Sequence, residues 1–259
     1  MNDYLNNVKK AGLVLATATV LVAGAPAVTA GDSPHEFSAN VALTTDYLFR
    51  GISQTNSNPA IQGGFDYSYT PFGFYAGVWA SNLEFNSGSG DEASIEIDYY
   101  GGFAGEFANG ITWDIGGLYY HYPSTNDDDA GNPDLDYVEA YANLGYTFSD
   151  IQFEPAVGVG VAYSPDFFGE DDDGVYVNGT LGLSLPYGIG LDFLVGYQDV
   201  EGDKLTPGGF DYVHYSIGLN KDILGPINAS LSWNDAGDED DCGGSICDDI
   251  ILFTLSSSF

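Results

Sequence analysis

The last ten residues, Ile-Ile-Leu-Phe-Thr-Leu-Ser-Ser-Ser-Phe, constrain this chain more than any other stretch. Ile251, Phe253, Leu255, Ser257 and Phe259 fall on one face, and Ile250, Leu252, Thr254, Ser256 and Ser258 on the other. A period of two makes a strand, not a helix, and about ten residues is the length that crosses a bilayer when a strand is tilted. A strand ending on the final residue has nothing after it to cover its free edge. That edge either stays open, which invites aggregation, or pairs with the first strand and closes a barrel. Phe253, Leu255 and Phe259 are the residues expected to carry closure. The alternative is the last edge strand of a soluble sandwich, and the rest of the chain must separate the two.

The pattern recurs along the chain. Residues 37–49, 60–70, 72–83, 93–107, 111–122, 136–148, 151–163, 174–185, 189–200, 210–220, 227–234 and 250–259 have strand character, about twelve segments in all, with no helical period of useful length. In the first, Phe37, Ala39, Val41, Leu43, Thr45, Tyr47 and Phe49 face one way, while Ser38, Asn40, Thr44, Asp46 and Arg50 face the other. Segment 72–83 leaves its register open, because Phe74, Ala76 and Val78 compete with Tyr75 and Trp79. The connections alternate in length. Those at 70–73, 108–110, 149–150, 186–188 and 222–226 are short; those at 51–59, 86–92, 123–135, 164–173, 201–209 and 235–249 are longer and mostly acidic. Short turns on one rim and long loops on the other describe an outer-membrane barrel with both termini in the periplasm. A sandwich has no reason to keep that alternation, nor to place aromatic residues such as Tyr47, Phe49, Tyr69, Trp113, Phe148, Phe153, Tyr163 and Trp233 near both strand ends. The expected fold is therefore all-β: a transmembrane antiparallel up-and-down barrel of about twelve strands, one domain over residues 31–259.

Residues 1–30 read as a secretory signal peptide, with Lys9 and Lys10 before an apolar run and Val28-Thr29-Ala30 as the cleavage site. Its removal takes Asp3 with the two lysines, so 38 acids become 37, and only Arg50, Lys204 and Lys221 remain against them, a formal charge of −34. Nucleic acid is excluded as a partner, since so few cations cannot neutralise phosphate. The acidity has two readings: a solvated surface suited to salt, or selectivity for cations. Cys242 and Cys247, spaced Cys-Gly-Gly-Ser-Ile-Cys, are expected to close a small disulfide loop that shapes the loop without holding the fold. A metal site there lacks a nearby histidine.

At Asn40-Val41-Ala42-Leu43-Thr44-Thr45-Asp46-Tyr47-Leu48-Phe49-Arg50-Gly51-Ile52-Ser53-Gln54-Thr55 the chain resembles the opening strand and first loop of the TorF family of proteobacterial outer-membrane porins. The likeness continues through residues 74–82 and 96–102 and extends loosely to the end. It implies a membrane channel and brings no catalytic residue with it. The C-terminal Phe259 likewise resembles the terminal aromatic signal by which outer-membrane barrels engage the barrel-assembly machinery. The implied location is the outer membrane of a Gram-negative bacterium, with lipid and lipopolysaccharide as surroundings.

In this register the polar faces point to the lumen. Asp46, Arg50, Asp66, Glu96, Asp98, Asp114, Glu139, Glu154 and Asp192 are the candidate selectivity residues. Asp66 lies four positions before a short turn, and Asp114, Glu154 and Asp192 lie four after one, which places these carboxylates at similar depth. Such a ring attracts cations, so small, cationic solutes are the expected cargo, with no cofactor. Arg50 is expected to pair with Asp46. A second class of function, an outer-membrane hydrolase, would rest on His214 with Ser216 and Asp211. A third is a closed structural or adhesive barrel whose acidic loops, around 127–136 and 170–173, bind divalent cations and bridge to lipopolysaccharide.

Overall fold

The computed structural model describes residues 33–84, 93–123, 134–202, 207–237 and 245–259. The expected signal peptide, Lys204, Cys242 and the acidic runs at 127–129 and 238–241 lie outside the described residues. The chain forms β1 (His35–Thr44), β2 (Leu48–Phe49), β3 (Ile52–Ser53), β4 (Ala60–Tyr69), β5 (Phe74–Asn82), β6 (Ile95–Glu106), β7 (Thr112–His121), β8 (Tyr137–Thr147), β9 (Ala156–Ser164), β10 (Gly174–Leu185), β11 (Ile189–Val200), β12 (Phe210–Leu224), β13 (Ile227–Asp235) and β14 (Ile250–Ser258). Twelve of these close into one antiparallel barrel in sequence order, leaving β2 and β3 as a separate hairpin. The terminal strand does pair with the first: Val41 stands opposite Ser257, and Ala39 and Phe259 exchange backbone bonds at 3.2 and 2.8 Å. Closure removes both free edges, which a membrane demands of any sheet.

The alternation read from the sequence sets the two faces. Phe37, Val41, Leu43, Ile61, Phe65, Ile115, Val159, Ile217, Leu231 and Ile251 are exposed on the outer surface, and the residues between them point into the lumen. A belt this apolar all round a closed sheet is solvated by lipid, not water. The open register of residues 72–83 resolves with Trp79 buried inside and Phe74 against Phe103. Inside, Tyr75 reaches lumen partners.

Two strand assignments need correction. The first strand ends at Thr44, where its hydroxyl donates to the Asp46 carbonyl at 2.8 Å, and the chain leaves the wall. Tyr47 and Phe49 are consequently not girdle residues: Tyr47 is 1% exposed, deep in the lumen. The expected strand at 151–163 begins only at Ala156. Phe153 and Glu154 have φ of 70° and 43°, a left-handed pair that no extended ladder accommodates. Glu154 is an exposed turn residue on the short-turn rim, where it lines one cavity with Asn143, Asn178 and Asp192.

Candidate functional site

The site is the lumen, and its outer half is filled by the chain itself. After β1, residues 45–59 turn inward, and β2 and β3 pair as a minimal hairpin with Leu48 opposite Ser53 and Phe49 opposite Ile52. Its two-residue turn is Arg50-Gly51, with φ of 49° and 88°. Positive φ at both positions is the type I′ turn that matches strand twist. Glycine takes that conformation freely, whereas arginine does so at a cost. A Cβ on Gly51 would stand 2.9 Å from the Cβ atoms of both Ala236 and His214, so the turn is pressed against the barrel wall.

Arg50 is where the hairpin is fastened. It is 5% exposed, and it does not pair with Asp46. Its Nη2 donates to both carboxylate oxygens of Glu139 on β8 at 2.8 Å each, and its Nη1 donates to Gln198 Oε1 on β11 at 2.7 Å. The guanidinium lies over the Tyr176 ring of β10, 4.2 Å from its centroid, with Phe49 at 4.6 Å. Tyr120 of β7 donates to Glu139 at 3.0 Å. Around the ring of twelve strands, β8, β10 and β11 lie across the lumen from β1, so the hairpin spans the barrel. Burial alone would lower the basicity of Arg50, but Glu139 and the surrounding tyrosines raise it above the ordinary value. The cation is held charged.

The hairpin has further anchors. Tyr47 donates to Glu96 at 2.7 Å and packs edge-on against Trp79. Asp46, instead of meeting Arg50, accepts from Ser53 at 2.9 Å and Thr55 at 2.7 Å, which ties the outgoing and returning limbs of the loop together. Burial pushes its carboxyl above the ordinary range, against the pull of those two hydroxyls and the Tyr47 amide. On the far side, Ile52 packs on a buried cluster of Tyr212, Ala236 and Cys247. Cys247 is disulfide-bonded and fully buried, so the described end of the last long loop packs on the hairpin.

The inner half of the lumen is built differently. Inward glycines leave floor space, and large side chains of neighbouring strands lie across them. A Cβ at Gly77 would collide with Tyr100, at Gly102 with Tyr75, at Gly116 with Tyr141, at Gly160 with Asn143 and Asn178, and at Gly190 with Asn220. These side chains lie along the wall and do not cross the bore. Asp66 accepts from Tyr100, Asp114 accepts from Tyr75 at 2.6 Å, and Tyr75 in turn meets Tyr141. Asp192 accepts from Asn220 at 2.5 Å. Asp66, Asp114 and Asp192 thus share the lumen wall, and Glu154 lines the cavity at Asp192 from the turn at the rim. Glu96 and Asp98 belong to the outer half, at 2% and 1% exposure.

The hydrolase set does not assemble. His214 is buried and meets Tyr176 at 2.9 Å, while Asp211 is on the outer face bonding Tyr197. Opposite faces of one strand cannot bring that acid to that base. His121 pairs with Asp136 at 2.6 Å on the outside. Among the described residues no group of three or more His, Cys, Asp or Glu is placed to hold a metal.

A family model described as a bacterial protein of unknown function, Gcw_chp, matches residues 28–259. The chain belongs to the Gcw_chp family. No curated protein matches it in sequence. Among solved structures, the barrel is similar to the KdgM porin, with a TM-score of 0.55 at 7% identity over 86% of this chain and 98% of that one. It is also similar to the NanC porin, with a TM-score of 0.50 at 9% identity over 86% and 97%. At such identities the likeness is one of fold.

In this Gcw_chp barrel the residues that sequence reasoning passed over are those that hold the hairpin: Tyr47, Tyr120, Tyr176 and Gln198. Tyr120, Tyr176 and Gln198 lie on strands whose alternation turns them inward, whereas the alternation assigns Tyr47 to the outward face with Val41 and Leu43. What the alternation lacks is the inward fold of the loop. The available signal was Arg50-Gly51 between two short β-prone pairs, a turn dipeptide less diagnostic than Asn-Gly.

Proposed function

We propose that this protein is an outer-membrane channel for passive diffusion of small solutes, and that it favours cations. The observation that carries the reading is the charge of the lumen. Asp66, Glu96, Asp98, Asp114, Glu139 and Asp192 line the wall and Asp46 sits in the hairpin. Among the described residues the one Lys or Arg inside is Arg50, already matched by Glu139. Lys221 lies on the outward side of β12 beside the short-turn rim, opposite Ile189. A bore with carboxylates in excess concentrates cations and repels anions.

The glycine-floored inner half supports a water-filled passage, because its side chains lie flat. The packed hairpin in the outer half supports a small conductance in the resting arrangement. The TorF-like opening block points the same way, as does the porin fold. On this reading residues 31–259 are exported as one unit, and the Phe259 strand is presented to the assembly machinery before it closes on β1. Purified protein in a planar bilayer under asymmetric KCl tests the proposal. A reversal potential of the cation-selective sign is expected; one of the anion-selective sign overturns it.

A further inference from the structure

We propose that the recess holding Arg50 is a receptor for guanidinium groups, and that a guanidinium-bearing solute displaces Arg50 from it and releases the first-loop hairpin. This rests on the channel reading above. The recess belongs to the wall: Glu139, Tyr176 and Gln198 stand on β8, β10 and β11, whose positions the closed sheet fixes. Arg50 belongs to a loop. One partner is fixed in the wall and the other sits in the turn of a loop, so the two can part while the sheet stays closed, with the Tyr47–Glu96 bond and the Ile52 packing yielding as the hairpin leaves.

The chemistry of the recess is specific. Both oxygens of Glu139 and the Oε1 of Gln198 bond the two terminal nitrogens at 2.7–2.8 Å, while Tyr176 stacks on the flat face at 4.2 Å. The buried Nε has no partner. The wall therefore reads only the terminal amino groups and the plane, which every guanidinium shares, and ignores the bond that marks Arg50 as part of a chain. An ammonium is a point charge without a plane and fits this set poorly.

The docked hairpin also carries its own opposing terms. Arg50 and Gly51 hold positive φ, and besides the Arg50 Nε, the Asp46 Oδ2 is buried without a hydrogen bond. A free ligand makes the same contacts as Arg50 without incurring those terms. Competition at millimolar concentration is the natural consequence.

The test is conductance of the full chain in bilayers, with guanidinium chloride and ammonium chloride compared at constant ionic strength. In the wild type, guanidinium raises conductance as the hairpin leaves. Arg50→Ala conducts more than wild type from the start, and guanidinium lowers its conductance by occupying the vacated recess, at about tenfold lower concentration than ammonium. Adding Glu139→Gln to Arg50→Ala abolishes the preference. Arg50→Lys, which keeps the charge and with it the fold, conducts more than wild type because it cannot make both bonds. Equal effects of the two cations on Arg50→Ala and wild type would overturn the receptor while leaving a cation channel intact. So would Arg50→Ala and Arg50→Lys conductances equal to wild type. A barrel that passes no current in any of these forms, with folding verified by heat-dependent gel migration, would instead sink the channel reading on which the receptor depends.

Discussion

The outer and inner halves of one lumen are made from the same kinds of side chain put to opposite ends. Above, tyrosines and carboxylates are shut away from water: Tyr47, Glu96, Asp98, Tyr120 and Tyr176 are each 2% exposed or less, closed over by a loop and held to it by a buried ion pair. Below, Tyr75, Tyr100 and Tyr141 pair with Asp114 and Asp66 along the wall, over glycines. The difference comes from one cation. A buried carboxylate needs a partner, and Arg50 supplies it to Glu139 from the loop. The lower carboxylates answer to hydroxyl and amide donors one or two strands along the wall and so ask nothing of a loop. A polar lumen becomes a plug or a passage according to whether its charges are matched from across the bore or from alongside.

The largest effect should come from breaking that cross-bore match. Glu139→Ala leaves the Arg50 guanidinium buried without its counter-charge, a loss of about 3–5 kcal/mol in pairs of this kind, and the hairpin should leave the lumen. Trypsin cleavage after Arg50 reads the result, since the bond is inaccessible while the side chain is buried. Rapid cleavage in Glu139→Ala and resistance in wild type are expected, and equal resistance would show that the ion pair is not what holds the plug. Gly51→Ala should come next. It forces a Cβ to 2.9 Å from Ala236 and His214 at a φ of 88°, a strain of about 1–3 kcal/mol, and partial cleavage after Arg50 is the expected readout.

A smaller effect belongs to Asp46. Burial raises its folded pKa, so between its ordinary value near about 4 and that raised value the docked loop binds more protons than the free one. Docking therefore weakens as pH rises through that window and is level above it. Trypsin is inactive at such acidity, so an acid-active protease with cleavage sites in residues 45–59 is the suitable probe. Protection should decline with rising pH in wild type and stay flat in Asp46→Asn.

The barrel was legible because its signal is redundant: twelve alternating segments, five short turns against six long loops, and an aromatic last residue each point to the same closed sheet. Period two is a local property, and burial follows from it directly. The plug was not legible, for a reason just as physical. Residues 45–49 continue the alternation of β1 without a break, so Tyr47 and Phe49 looked like girdle residues when their partners, Glu96 and Tyr120, stand on distant strands. Arg50 and Glu139 are 89 residues apart, and no local pattern joins them. For Glu154 only the strand assignment failed. Its offset from a turn was sound arithmetic, but Phe153 and Glu154 extend the turn themselves by adopting positive φ.

The smallest change in stability is expected from the lower half, and it sharpens the contrast most. In Asp66→Asn, Asp114→Asn and Asp192→Asn combined, each new amide oxygen still accepts from Tyr100, Tyr75 and Asn220 respectively. Ser38 and Asn143, which also bond Asp66 and Asp114, can turn a hydroxyl oxygen and the unpartnered Asn143 Oδ1 to the new amide groups, and no buried cation is stranded, so thermal stability should move by less than about 1 kcal/mol. The hairpin should stay resistant to trypsin. What should change is ion preference, because three carboxylates leave the bore while its width is unaltered. The reversal potential in asymmetric KCl should move towards zero. If the triple variant instead unfolds or frees the hairpin, the two halves are one network, and a division of labour between plug and passage is wrong. If it keeps the wild-type reversal potential, ion preference is set above, by the carboxylates around the hairpin, and the inner wall serves only to keep water in place.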